Sequence, residues 1–486
     1  MIGAEWVKFR TVRGWVIAGV IAAAAIAGFG FAGGSQGSCD QAACTQLAGP
    51  AGEAVSDSFY FVHQALTGNG SITVRVRSLT SAVPVPHGGT QRAVVPWAKG
   101  GIIVRASLTP GSAYVAVMVT GSRGVRMQDD FTGDISGPAM PAGWLRLVRD
   151  DAMITGYASP DGTRWARVGA VTVPGLPATV QGGLFATSPQ YSQASLGVAS
   201  ISGSPSQSTA DFDRPALTWR GRGWTGTNVG GSSGGVAGPA TGYSRTAGGG
   251  LAITGSGDIA PATSGASGAG VTVAQTLGGV FVALIILAVV GAMFVTAEYR
   301  RGLIRVTLAA CPRRGRVLAA KAAVIGLVTF AVGLAGDAVA VPLGQRVLRS
   351  HGAYVWPVTA AAELRVIVGT AAVLALCAVL AVAVGALLRH GAAAVAAVIA
   401  LIVVPYVLTV PIPVLPLGVA DWLMRVSPAS AFAVDQTVIQ YPQVDNVYAP
   451  AYGYYPLAPW AGVAVLCAWV AVALGLAYVA LNRRDA

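Results

Sequence analysis

Glu298 is followed by Arg300, Arg301, Arg305, Arg313, Arg314, Arg316 and Lys321, one carboxylate leading a run of cations between two apolar stretches. Cations at this density either hold anionic headgroups or pair with carboxylates on a docking protein. The segment also reads as a helix, with Glu298 near its start, good helix formers through Ala310 and Pro312 as a stop. Other chemistry is poorly provided for. His63, His87, His351 and His390 are scattered over different regions, and no Ser/His/Asp arrangement forms. No G-x-x-x-x-G-K-[ST] phosphate loop occurs, so the chain carries no nucleotide-hydrolysing loop of that kind. Asp129, Asp130, Asp134, Asp150 and Asp151 fall at expected strand ends and hairpin turns, not as the opposed pair that glycoside hydrolysis needs. A solvated loop rather than a calcium site is expected at Asp129 and Asp130, and no cysteine spacing points to zinc or any other metal.

The elements that must position the basic run are set by composition. Of 486 residues, 53% are hydrophobic and 11% charged, and the mean hydropathy of +0.61 is that of a membrane protein. Six segments are long and apolar enough to cross a bilayer: 14–33, 271–296, 317–343, 366–388, 392–410 and 459–481. Lys8, Arg10 and Arg13 precede the first, the basic run follows the second, Arg389 and His390 separate the fourth and fifth, and Arg483 and Arg484 follow the last. Basic residues are retained on the cytoplasmic side, so both termini are expected inside and residues 34–270 outside, at the plasma membrane. The net charge of +12 follows from these loops and a basic exported domain. No basic patch is interleaved with base-stacking aromatics, so nucleic acid is not an expected partner. Arginine far outnumbers lysine, with heavy Ala and Gly, the bias of a high-GC genome such as an actinobacterial one.

Residues 1–33 form an interfacial segment, rich in Trp6, Val7 and Phe9 among basic residues, and a first span. That span is longer than a signal core and lacks a clear A-x-A site, so a retained helix is preferred to a cleaved one. Beyond it, Cys39 and Cys44 are close enough for a small-ring disulfide in an oxidising compartment, with two free thiols the alternative. From 53 to 202, apolar and polar residues alternate at strand period, as at Ile72, Val74 and Val76, and turns such as Ser159-Pro160-Asp161-Gly162 separate the runs. An all-β sandwich is predicted. Residues 211–266 are either a second partial β unit or a Gly/Ser-rich stalk. The intramembrane acid is Asp337, about two turns from the outer end of the third span. It marks a functional site by default, although reaching water or pairing with Arg346 or Arg365 would account for it. Pro411, Pro413 and Pro416 then break the chain before the last span. Trp422, Tyr441, Tyr448, Tyr452, Tyr454, Tyr455 and Trp460 are expected there as an interfacial aromatic belt.

Together these features resemble the permease subunits of type-2 ATP-binding-cassette exporters, over residues 1–33 and 271–486. The resemblance is sharpest at Glu298, Gly302, Leu308, Pro312, Arg314 and Lys321. The large domain between the first two spans departs from relatives that have a short loop there. Its strand order, SPDGTRW at 159–165 and GGLFATS at 182–188 resemble concanavalin-like and laminin-G-like jelly rolls. The fold implied is an α-helical polytopic membrane protein of six spans with an extracellular all-β jelly-roll-like domain. The function implied is that of a permease, exporting cargo, in the membrane half 271–486. A coupling helix at 298–316 would seat in a separate ATP-binding subunit, with Arg301 and Arg305 facing acidic groups or lipid. ATP and magnesium would belong to that subunit, leaving no catalytic residue or cofactor here. A second permease copy, or a related one, would complete the path for an unknown substrate. The alternative is a membrane-anchored binding or sensing protein whose sandwich captures carbohydrate or protein. One span suffices to anchor such a domain, and six favour a path.

Overall fold

The computed structural model describes all residues except 36–45, 85–88, 141, 195–200, 220–222, 232–240, 247, 265–269, 311–312, 411–414 and 484–486. Cys39 and Cys44 lie outside the described residues, as does Pro312. Six helices are long and apolar enough to span a membrane, as expected. After the short helix α1 (Ile2–Thr11) come α2 (Arg13–Ser35), α3 (Gly279–Arg300), the short α4 (Leu303–Ala310), α5 (Arg314–Ser350) and α6 (Ala360–Leu388). Then follow α7 (Gly391–Val398), α8 (Val404–Thr409), the short α9 (Leu417–Val426) and α10 (Pro459–Arg483). Helix α5 is about 55 Å long at 1.5 Å per residue, well beyond the hydrocarbon thickness of about 30 Å, so it projects from the apolar layer.

The fifth span is interrupted. A π-helical turn, Ile399–Val403, joins α7 to α8. Pro405 in the next turn has no N–H to give the carbonyl four residues back, and the ladder widens there. The bundle core is built from Ala, Val and Leu of α2, α3, α5, α6 and α10, with the rings of Phe281, Tyr406 and Phe432 clustered 4.1–5.3 Å between centres where α3, α8 and the loop after α9 meet. That loop is a 3-10 turn, Pro428–Asp435, buried along its whole length. Small residues allow the approach. A Cβ on Gly462 of α10 would stand 2.0 Å from the Ser430 carbonyl oxygen, so only glycine fits.

Among the described residues, 47–261 form two large antiparallel sheets and two small ones. In the first, strand Phe59–Thr67 lies between Thr225–Val229 and Thr179–Thr187, continued by Lys99–Arg105, Tyr114–Thr120, Val125–Asp129 and Gly133–Ser136. In the second, the long strand Gly70–Pro84 lies between Gly143–Asp150 and Gln207–Phe212. The alternating residues Ile72, Val74 and Val76 are buried against Val62, Ile102, Val115 and Val117 of the first sheet. This is a β-sandwich. The stretch after 211 is neither stalk nor separate unit: Gln207–Phe212, Leu251–Gly255 and Gly242–Arg245 extend the second sheet, and Thr225–Val229 edges the first. The apolar residues at Phe212, Leu251 and Ile253 join the same core, and this burial overrides the high glycine content around them.

Two expectations about side chains are corrected. Asp129 and Asp130 are half-buried instead of solvated, and burial raises both carboxyls above their ordinary range. Asp130 Oδ1 accepts the Tyr114 N–H at 3.1 Å, a bond that holds the hairpin at the sheet edge. The aromatic belt also divides. Trp422 and Trp460 are exposed as interfacial anchors would be, but Tyr454 and Tyr455 are buried and serve packing.

Candidate functional site

Four charged side chains converge where α1, α3 and α5 meet. The chain reaches this point because α3 carries Glu298 on its last full turn, while Lys321 lies two turns into α5 and the connection between them is short. Lys321 Nζ donates to Glu298 Oε1 at 2.6 Å and to Glu5 Oε2 at 2.9 Å. Lys8 Nζ donates to Glu5 Oε1 at 3.1 Å and to Glu298 Oε1 at 3.0 Å. Two carboxylates and two ammoniums thus cancel in charge. Glu5 is 1%, Lys321 2% and Glu298 8% exposed, so each depends on the others for what water would have supplied. Burial pulls the Lys8 ammonium down, yet its bonds to Glu298 and Glu5 and their charges outweigh that, and its pKa lies above the ordinary lysine value. Lys321 also stands 4.8 Å over the Phe294 ring, which Trp15 meets edge-on at 5.1 Å; Phe9 of α1 stacks on Trp15. Helix α1 is therefore held by a salt-bridge face and an aromatic face together.

The connecting helix is shorter than the expected 298–316. Glu298 belongs to α3, which ends at Arg300 with Arg301 as its C-cap; Gly302 then takes φ +68°, the left-handed conformation that follows a helix end and suits glycine. Only Leu303–Ala310 forms the separate helix, which carries Arg305 and Leu308. Its exposed residues include Leu303, at 48%, and Val306, at 68%, apolar groups with no cover from the chain itself. Arg301 is exposed beside it. Arg314 opens α5 and donates to the Leu481 carbonyl near the end of α10, drawing the last span to the same end of the bundle. Of the residues singled out from sequence, the structure brings Glu298 and Lys321 together, sets Arg301 and Gly302 at the end of α3, and opens α5 with Arg314. Glu5 was not singled out, and Lys8 was read only as a mark of orientation. Their i,i+3 spacing in a segment otherwise read as lipid-facing was the available signal.

Asp337 stands apart from this cluster, toward the other end of α5. It reaches neither water nor Arg346 nor Arg365: it is 0% exposed, and among the described residues neither carboxylate oxygen has a hydrogen-bond partner. Arg365 instead donates to the Gln436 carbonyl. Asp435 lies near enough to act on Asp337 electrostatically, and its Oδ1 accepts the Thr370 hydroxyl at 2.7 Å.

The described residues thus form a bundle of six apolar helices with an arginine-rich connection at one end and a β-sandwich at the other. Residues 186–486, more than half of the chain, match the model of the ABC-2 family transporter protein, and the chain belongs to that family. It is accordingly a permease component of an ATP-binding-cassette transporter, and membership implies an ATP-binding partner subunit. None of the curated proteins compared with it matches. Among solved structures, the chain is similar to a functionally unknown protein from Saccharomyces cerevisiae, at 16% identity over 33% of this chain and 75% of that one, with a TM-score of 0.19. It is also similar to SCP-B, a member of the eqolisin family of peptidases solved with the tripeptide Ala-Ile-His, at 12% identity over 41% and 98% of the two chains, with a TM-score of 0.25. Similarities this low assign neither fold nor function.

Proposed function

We propose that this chain exports cargo, driven by a separate ATPase subunit that seats on α4 and the turns flanking it. The observation that supports this reading is the buried charge quartet. It joins the end of α3, the start of α5 and α1 into one block, beneath a helix that offers Leu303 and Val306 to a partner. A push on such a helix is passed to two spans at once as a rigid-body shift. In this reading Arg301, Arg305 and Arg314 meet acidic groups of the ATPase or lipid headgroups, Leu308 adds to the apolar seat, and Gly302 and Pro312 bound it. ATP and magnesium stay with the partner. Retention of arginine on the inner side places this end and both termini in the cytoplasm and the sandwich outside. The segments divide as 1–33, 34–270 and 271–486, and a second permease copy or a related one closes the path.

The test is co-purification. The full chain expressed with its ATPase should retain that subunit in mild detergent, and Leu303→Glu with Val306→Glu should release it while the unfolding temperature of the permease stays unchanged. Undiminished retention by the double variant would remove α4 as the seat.

A further inference from the structure

At the same end of the bundle, α3 and α7 part to leave a cleft of about 930 Å³. The helices come together at Gly391, where a Cβ would stand 3.1 Å from Thr296 Oγ1, and the space opens beside that contact. Its walls are apolar: Val289 and Met293 on α3 face Val395, Ala396 and Ile399 across the gap. Its polar lining is cationic. Arg300 ends α3, and Arg389 and His390 link α6 to α7. Arg389 takes φ +55° as the left-handed cap of α6, and its guanidinium lies 5.1 Å over the Tyr299 ring, which fixes it at the cleft. No carboxylate is among the residues lining the space. His390 Nδ1 accepts the Ala393 N–H and caps α7.

An apolar slot with two guanidiniums and no acid is complementary to one kind of molecule available inside a membrane. Apolar chains fill the wall, and an anionic headgroup answers the arginines, each worth about 1 kcal/mol toward such a headgroup. Guanidinium is also the side chain best matched to phosphate oxygens. We propose that this cleft is a binding site for an anionic phospholipid, with its phosphate between Arg300 and Arg389 and an acyl chain along the α3–α7 wall. A zwitterionic lipid would bring its own cation to a site that already has two.

Native mass spectrometry of the full chain in detergent, titrated with phosphatidylglycerol or phosphatidylcholine of the same acyl chains, tests this. Phosphatidylglycerol should be retained in preference, and Arg300→Gln with Arg389→Gln should lose about fivefold in its affinity for each arginine removed. Arg389→Lys, which keeps the charge, should retain most of the preference, and Arg483→Gln, an exposed cation outside the cleft, should retain all of it. If the double variant fails to fold, exposed Arg300→Gln alone should still lose about fivefold. Equal retention of the two lipids by the unaltered chain would overturn the proposal, as would an affinity for phosphatidylglycerol undiminished in Arg300→Gln. So would a disulfide between two copies at Met293→Cys, which would show the cleft closed by a second chain. The readout uses no ATPase, so a failure of the docking assignment leaves it intact.

Discussion

Glu298 Oε1 accepts from two ammoniums, so it is the junction of the quartet, and removing either the junction or Lys321 strands a charge out of water. Breaking a buried pair by one partner costs about 3–5 kcal/mol, whereas replacing both partners with apolar groups of similar size is often close to neutral. Glu298→Gln and Lys321→Met should each lower the unfolding temperature in detergent, and the double replacement should recover much of that loss. Additive single effects would mean that the two side chains do not share one buried interaction. Asp337 makes the opposite case. A buried carboxyl with no partner is a cost to folding of about 1–3 kcal/mol, so Asp337→Leu should raise thermal stability. If transport falls as stability rises, the carboxyl is retained for function; a drop in stability would show that it has a partner in the folded membrane state. Glu298 and Lys321 were legible in sequence because acid and base stand out beside apolar spans. The pairing of Lys321 to Glu5 was not, because it joins residues more than 300 positions apart and nothing local encodes it.

At the scale of elements, apolar length was enough to reveal the spans, since in hydrocarbon the backbone must bond within its own helix. Element boundaries were harder. The helix expected at 298–316 is divided by Gly302, whose left-handed φ ends α3 before α4 begins. That glycine sets the angle between a span and the proposed docking helix. A residue with a Cβ loses roughly 1–2 kcal/mol in this conformation, while Asn bears it better. Gly302→Val should therefore reduce ATP-driven transport with the quartet still formed, and Gly302→Asn should keep most of it, measured in proteoliposomes with the ATPase present. Equal transport by both variants would show that the turn carries no coupling strain. The long strand Gly70–Pro84 was readable from period-2 alternation, as at Ile72, Val74 and Val76. The strands after 207 were not, because short strands among glycines acquire their identity only from the sheets they join.

At the scale of the molecule, the sandwich is bonded to the bundle and does not merely hang from it. Asn446, in the connection between α9 and α10, donates to Thr263 Oγ1 at 3.1 Å and to the Ser264 carbonyl at 2.8 Å, and the Ser264 N–H donates to the Tyr454 hydroxyl at 3.1 Å. Gln443 reaches the Thr132 carbonyl at 3.2 Å in the β-hairpin, and Val271 bridges to Tyr354 and Trp356 between α5 and α6. The loop between α9 and α10 is thus gripped by the sandwich and the residues that follow it, and the loop between α5 and α6 by Val271 at the entry to α3, so a rearrangement of the spans at the proposed exit must either carry the sandwich along or break these bonds. Tyr454 is 1% exposed, and Tyr454→Phe leaves a buried N–H at Ser264 unanswered, a cost of about 1–3 kcal/mol. Hydrogen exchange at 259–264 should then accelerate, while the central strands Lys99–Arg105 and Tyr114–Thr120 keep their protection. Adding Asn446→Ala should deepen the local loss without lowering the stability of the sandwich itself. Unchanged exchange at Ser264 in the double variant would mean that Asn446 and Tyr454 do not hold residues 259–264, and that Gln443 is what ties the loop between α9 and α10 to the sandwich.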